Sequence, residues 1–296
     1  MAQWEGKSKG TVLGYRIFVF LIRTFGVRSA YFMLYFVAAY YFLTQKRSNR
    51  DMSYYFHDRL GYPKSKTRRS LYKSYFTFGQ TIIDKVAISA GLRKSFTYEF
   101  DGIELLFGLL EQKKGGVLIS AHIGNFEIAE HFLAEVNSDF QINLVTTDLE
   151  HSAIRDYLES VTSKSNIGFI IIKDDLSHIF EINAALARNE LVCFTGDRYF
   201  PGTKFLTEEL FGEEANFPAG PFLIASRLKV PVAFVYVMKE ANLHYHLYTR
   251  LADVRHRDDK GLLKAYTTSV ESMVRKYPLQ WFNFFNFWDR SENSVS

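Results

Sequence analysis

The sequence contains one cysteine, Cys193, and six prolines in 296 residues. A single thiol excludes a disulfide framework and a cysteine-rich metal site, and it suits a reducing compartment. So few prolines, with no low-complexity run, exclude long linkers and collagen-like or mucin-like stretches. No internal repeat of the solenoid kind is present. The patterns GxGxxG, GxxxxGK[ST] and GxSxG are all missing, which removes the usual handles for dinucleotide, P-loop and serine-hydrolase chemistry. The N-terminus does not read as a cleavable signal. The apolar stretch Ile17–Ile22 is cut by Arg23 and no small-residue cleavage pattern follows, so the segment is expected to stay on the mature protein.

Acidic residues are scarce in the first third. Residues 1–94 carry 17 Lys/Arg against 4 Asp/Glu, a net of +13, and the remainder carries −9, so the overall +4 hides a strong asymmetry. Aromatics, by contrast, are abundant, with 28 Phe, 18 Tyr and 3 Trp making up 17% of the chain. A basic, aromatic segment points to an anionic membrane or a nucleic acid. Nucleic acid is the weaker reading, because the acidic remainder repels phosphate and no binding signature is present.

The aromatics concentrate early, with eleven among the 28 residues 15–42. The uncharged run Ser29–Gln45 is 17 residues long, at the lower limit of about 17–25 residues for a spanning helix. Arg23 and Arg28 precede it and Lys46, Arg47 and Arg50 follow, so charge leaves orientation undecided. Tyr and Phe rings suit the headgroup boundary. The preferred reading is a helix lying in one leaflet, and the alternative is a buried core helix. Residues 46–94 stay basic, and Leu71, Tyr75, Phe78 and Ile82 at helical spacing predict a helix over 71–89.

From residue 95 strands and helices alternate. Strands are expected at 96–100, 117–120, 141–146, 168–172, 191–195, 231–238 and 244–250. Helices are expected at 103–112, 125–136, 152–163, 176–188, 218–228 and 260–276. This alternation implies an α/β fold: a three-layer αβα domain over 95–296 with a largely parallel central sheet. The N-terminal hydrophobic helical segment, 1–94, is expected to form a basic, aromatic membrane-associating region.

The segment Val117–Glu130 reads VLISAHIGNFEIAE. An apolar strand ends at Ser120-Ala121, and His122 follows at its carboxyl end, where open α/β sheets bind ligands. Glu127 lies five residues on. Across a strand–turn–helix junction this spacing can return a carboxylate to the imidazole, fixing its tautomer and leaving the other nitrogen as a base. The competing reading has His122 capping the helix and Glu127 favouring its positive end. His244 and His246, two apart in a strand, read as a surface pair rather than a zinc site. Cys193, between Val192 and Phe194, reads as a small core residue. The aromatic segment Tyr277–Trp288 reads either as a core-closing strand or as the lining of an acyl groove.

The block SAHIGNFE resembles the HX4(D/E) motif of glycerolipid acyltransferases, and the Gly-Asn after the His resembles the late acyltransferases of lipid A biosynthesis. Further blocks agree in order: Thr195-Gly196-Asp197-Arg198, Phe211-Gly212 with Phe217-Pro218-Ala219-Gly220-Pro221, Val230-Pro231-Val232, and Pro278-Leu279-Gln280-Trp281. The likeness spans roughly residues 10–290. It implies an enzyme that moves a fatty acyl chain from an acyl carrier protein or CoA thioester to a glycolipid hydroxyl, most naturally on a lipid A precursor. The alternative acceptors are an aminolipid, a mannosylated lipid or a pigment alcohol, and a non-catalytic membrane-binding homologue is the rival of a different class. The resemblance implies a bacterial inner-membrane location with the catalytic domain on the cytoplasmic side. The partners expected are an anionic membrane surface, the acyl thioester and a glycolipid, with no nucleic acid. No cofactor or metal is expected beyond the acyl thioester co-substrate.

On this reading His122 is the general base and Glu127 orients it. Backbone amides after His122, with the Asn125 side chain, would face the developing oxyanion. Asp197 would supplement Glu127. Arg198 would bind an acceptor phosphate or the donor's phosphopantetheine, although an internal Asp–Arg loop pair is as good an account. Gly220 opens a helix whose N–H groups offer an anion site, and Arg155 on the 152–163 helix is a weaker substrate-binding candidate.

Overall fold

The computed structural model describes residues 12–136, 141–146, 167–173, 175–199 and 203–288. The chain begins with four helices, α1 (Val12–Phe25), α2 (Val27–Thr44), α3 (Lys46–Ser53) and α4 (Lys64–Ala87), with a π-helical turn at Tyr54–Arg59. The uncharged run Ser29–Gln45 lies almost entirely in α2, which is set off from α1 at Gly26, whose φ of 79° is a left-handed conformation that favours glycine. Among the described residues no helix is long and apolar enough to cross a membrane. The two sides of α2 differ. Val27, Ala30, Leu34 and Ala38 are buried, a 3–4 spacing that makes one inward stripe. Leu34 lies against Gly79 of α4, so closely that a Cβ there would come within 2.3 Å of the leucine. The opposite side, with Phe32, Phe36, Tyr40 and Leu43, is exposed.

The remaining elements are β1 (Thr97–Asp101), α5 (Ile103–Glu111), β2 (Gly116–Ser120), α6 (Ala129–Val136), β3 (Ile142–Thr146), β4 (Ile167–Ile171), α7 (Ser177–Ala187), β5 (Leu191–Thr195), β6 (Phe205–Leu210), β7 (Glu213–Pro218), α8 (Ala219–Arg227), β8 (Val232–Lys239), β9 (His244–Ala252) and α9 (Asp259–Lys276). Seven strands form one sheet in the order β1-β9-β8-β2-β5-β3-β4. Five run parallel, while β9 is antiparallel to β8 and carries β1 with it. The fold is therefore mixed α/β with a mostly parallel sheet. β2 is buried at every position, as a central strand covered on both faces must be. Val117 and Ile119 join a core with Ile182 of α7, Phe222 of α8 and Tyr266 of α9. Leu118 joins another with Leu106 and Leu109 of α5 and Leu133 of α6.

α9 shows how local sequence sets an element. Asp258 caps it by accepting the Gly261 N–H at 2.8 Å, and Arg275 and Lys276 lie in the last turn, where cations meet the negative end of the helix dipole. Two expectations are corrected. The helix expected from Asn125 begins as a 3-10 turn, Phe126–Ile128, and becomes α-helical only at Ala129. Residues 205–218 form a hairpin that the sequence reading missed, with Leu210 paired to Glu213. Its two turn residues, Phe211 and Gly212, both have positive φ, the geometry of a tight hairpin turn. The helix expected at 152–163, and Arg155 on it, lie outside the described residues.

The N-terminal helices share cores with the sheet. Val19, Ile22 and Leu34 pack with Ile83, Phe132, Val237 and Tyr245. Leu71 and Tyr75 of α4 belong to the core of Trp281, Phe287 and Trp288. The closing segment 277–288 is thus mostly core, with Trp281 against Tyr55, Phe211 and Phe287.

Candidate active site

β2 ends at Ser120, and its register beside β5 and β8 brings three loops to one end of the sheet: the turn after β2, the loop after β5, and the closing segment. His122 sits in the first of these. Its Nδ1 lies 2.7 Å from Asp197 Oδ1, and its backbone N–H donates to Asp197 Oδ2 at 3.0 Å. Asp197 is buried and the His122 ring is a quarter exposed. Burial alone would push the Asp197 carboxyl up. The His122 charge and hydrogen bonds, with Arg198 beside it, outweigh burial and hold it below the usual carboxylate range. A carboxylate on Nδ1 selects the neutral tautomer with its lone pair on Nε2.

The turn that carries His122 is fixed from several sides. Gly124 has φ 65°, and a Cβ there would lie 2.1 Å from the Val237 carbonyl oxygen, so only glycine fits. Its N–H donates to Gln280 O, the Asn125 N–H to Val237 O, and the Phe282 N–H to His122 O. Gly196 is constrained by packing alone: its N–H donates to Ser120 O, and a Cβ would press on the side chains of Tyr266, Ile119 and Phe222. Glycine in both motifs therefore has a packing reason.

Sequence-expected residues do not all converge. Asp197 reaches His122. The Glu127 side chain lies outside the described part of the structure, as does Arg155. The Asn125 amide is buried and turned to the helical side, its Nδ2 donating to Thr81 O at 3.0 Å and to the Tyr245 hydroxyl at 3.4 Å. Two amide hydrogens with two acceptors make Asn125 a tie to α4 rather than an open oxyanion donor. The N–H groups of residues 123–125 are likewise bonded within the protein. Arg198 is half-buried; its Nε donates to Asn283 Oδ1 and its Nη2 to Phe282 O. Burial pushes its pKa down to about 10 against the pull of Asp197. Gly220 is exposed in the first turn of α8, and a Cβ there would meet nothing within 4 Å.

Sequence reasoning missed a buried polar cluster behind this turn. Lys239 Nζ pairs with Asp84 at 2.7 Å, both nearly or fully buried. The hydroxyls of Tyr31 and Tyr245 also donate to Asp84. Gln280 clamps the Lys239 backbone, accepting its N–H at 2.9 Å and donating to its carbonyl at 2.7 Å. Asp84 and Lys239 are 155 residues apart, so no local spacing could reveal the pair. The one sequence hint is that Asp84 follows the inward-facing Ile83 on α4.

Among the described residues no group of three or more His, Cys, Asp or Glu is placed to hold a metal ion. Burial pushes the Cys193 thiol up to about 12, as a small core residue requires.

The family model for the bacterial lipid A biosynthesis acyltransferases matches residues 7–290. The chain belongs to that family. No individual curated protein matches the sequence significantly. In this acyltransferase the first, second and last motif blocks meet at the end of β2. Phe211-Gly212 forms the hairpin turn instead, its Phe211 N–H bonded to Glu271, and Pro218 leads into α8 beneath Tyr266.

Proposed function

We propose that the protein transfers a fatty acyl chain from an acyl carrier protein or CoA thioester to a hydroxyl of a lipid A precursor, with His122 as general base. The observation that carries this reading is the double hold of Asp197 on His122 at the carboxyl end of β2, in a chain of this family. The acceptor hydroxyl attacks the thioester carbonyl carbon, a C–O bond forms, and the hydroxyl proton passes to Nε2. Ionised Asp197 stabilises the imidazolium that results. The tetrahedral intermediate then collapses, the C–S bond breaks, and the departing thiolate takes the proton back. The products are an acyl ester and a free thiol.

Glu127, five residues on, is assigned a supporting role in orienting the imidazole. Arg198 is assigned to the closing segment, because two of its nitrogens hold Phe282 and Asn283. The exposed side of α1 and α2 carries Phe20, Phe25, Phe32, Phe36, Tyr40 and Leu43. An apolar surface of this kind beside many cations fits the anionic cytoplasmic leaflet of a bacterial inner membrane. It would bring the site to its lipid acceptor.

The test incubates purified protein with acyl carrier protein or CoA thioesters and lipid A precursors and reads the products by mass spectrometry. Wild type is expected to add one acyl chain and His122→Ala none. Identical, product-free spectra from both, across donors and acceptors, would end the proposal. Whole-cell lipid profiles with and without the gene identify the acceptor, loss of one lipid A acyl chain being the expected result.

A further inference from the structure

A cleft of about 400 Å³ lies between α2 and α4, lined by Tyr35, Tyr72, Phe76 and Leu279 with Arg69, Lys73 and Thr77, and Leu279 precedes the Gln280 whose carbonyl holds the His122 turn. Its walls are built tightly. The Tyr35 and Phe76 rings approach to 4.5 Å, and the Tyr72 hydroxyl donates to the Tyr35 carbonyl at 3.2 Å. Ser74 fixes Leu279 by bonding its carbonyl. Arg69 and Lys73 are both exposed and stand one turn apart on α4, so their charges project on one side of the helix. Among the described residues no acidic side chain lines the cleft. Tyr35 belongs at once to this cleft and to the exposed apolar side of α2, between Met33 and Phe36.

The cleft thus has two chemically distinct parts, an apolar wall of rings continuous with the exposed side of α2 and a cationic rim with a hydroxyl. We infer that it is a binding site for an anionic glycerophospholipid, the phosphate held by Arg69 and Lys73 and an acyl chain lying along Tyr35, Tyr72 and Phe76. The occupant is a lipid drawn from the bilayer. Free phosphate would satisfy the two cations and leave the rings in water, whereas a chain covers them and extends onto α2. The inference rests on the membrane-facing reading of α1 and α2, and it makes that attachment specific for a headgroup rather than a diffuse attraction.

The experiment measures binding to phosphatidylglycerol/phosphatidylcholine vesicles and to phosphatidylcholine vesicles. It compares wild type with Arg69→Ala/Lys73→Ala and with Lys64→Ala/Lys66→Ala, which removes the same charge from the same helix outside the cleft. The cleft variant is expected to lose at least tenfold in affinity for the anionic vesicles and the control less than threefold. A diazirine-bearing phosphatidylglycerol is expected to label the peptide containing Tyr72 and Phe76 in wild type and not in the cleft variant. Equal losses in the two double variants would overturn the site, showing a diffuse basic patch. Displacement of the labelled lipid by millimolar inorganic phosphate would overturn the lipid assignment. A wild-type protein that binds no anionic vesicle removes the site and the membrane reading together, while the acyl-transfer assay decides the enzymatic proposal separately.

Discussion

Asp197 grips His122 at two points, with one carboxylate oxygen on Nδ1 and the other on the backbone N–H. The ring is therefore oriented together with the turn that carries it. Asp197→Asn keeps the size and removes the charge. Acyl transfer is expected to fall by on the order of 10³-fold or more, as when a catalytic imidazole loses its buried carboxylate. The acid limb of the pH–rate profile should move to lower pH, because the imidazolium loses its stabilising charge. A Tm measured against pH gives a second reading. The folded-state pKa of Asp197 is depressed, so its ionised form stabilises the fold above the unfolded pKa. That contribution is lost as pH falls through the depressed value. The variant should show a weaker fall in Tm on acidification than wild type.

Gly124→Ala tests the turn itself. The new Cβ would lie 2.1 Å from the Val237 oxygen in a residue with φ 65°. Backbone strain of about 1–3 kcal/mol adds to the clash, so Tm should drop by several degrees and acyl transfer should be lost. A variant with wild-type Tm and rate would show that the turn relaxes freely.

Arg198→Lys separates charge from fork geometry. Lysine keeps the positive charge beside Asp197 but cannot bond Asn283 Oδ1 and Phe282 O as a planar pair. Hydrogen exchange in residues 281–285 should accelerate while that of α9 stays unchanged. Uniform protection across both segments would argue against a tie through Arg198.

The legible parts of this fold were those with local signals. The buried run of β2, the 3–4 spacing within α4, and the Gly-terminated helix before β2 all follow from short-range chemistry. The His122 position was legible because a strand's carboxyl end is a topological fact. Its carboxylate partner was legible only in part: the spacing argument favours Glu127, the resemblance adds Asp197 as a supplement, and the pairing of β2 with β5 is what brings Asp197 beside the ring. The hairpin 205–218 was missed because Phe211-Gly212 reads as a motif rather than a turn, and only the first of its strands alternates in burial. Asn125 misled for a related reason. Sequence places it at the start of a helix, but only the packing of α4 supplies the Thr81 carbonyl and, with β9, the Tyr245 hydroxyl that occupy its amide.

The buried pair Asp84–Lys239 joins α4 to the end of β8 behind the His122 turn. Removing one partner leaves the other charged and buried, a cost of about 3–5 kcal/mol. Lys239→Met should therefore lower stability to urea by that order. The double change Asp84→Leu/Lys239→Met should recover much of it, because a pair replaced by apolar groups leaves no orphan charge. The Tyr31 and Tyr245 hydroxyls then lose their acceptor, which sets a limit on the recovery. A double variant as unstable as the single one would show that the carboxylate's hydrogen bonds, rather than its pairing with Lys239, hold this junction.

The exposed side of α2 offers a test that spares the core. Phe32 and Phe36 are each more than 60% exposed, while the inward stripe is formed by Ala30, Leu34 and Ala38. Phe32→Ser/Phe36→Ser should leave Tm within about 2 °C of wild type, since surface changes typically alter stability by no more than about 0.5 kcal/mol. In a bilayer interface each ring would bury much of its area, worth about 1.5–3 kcal/mol per side chain. Vesicle affinity should consequently fall by at least tenfold, measured by co-sedimentation at matched lipid concentration. Unchanged sedimentation would mean that these rings do not enter the membrane and that α2 meets some other surface.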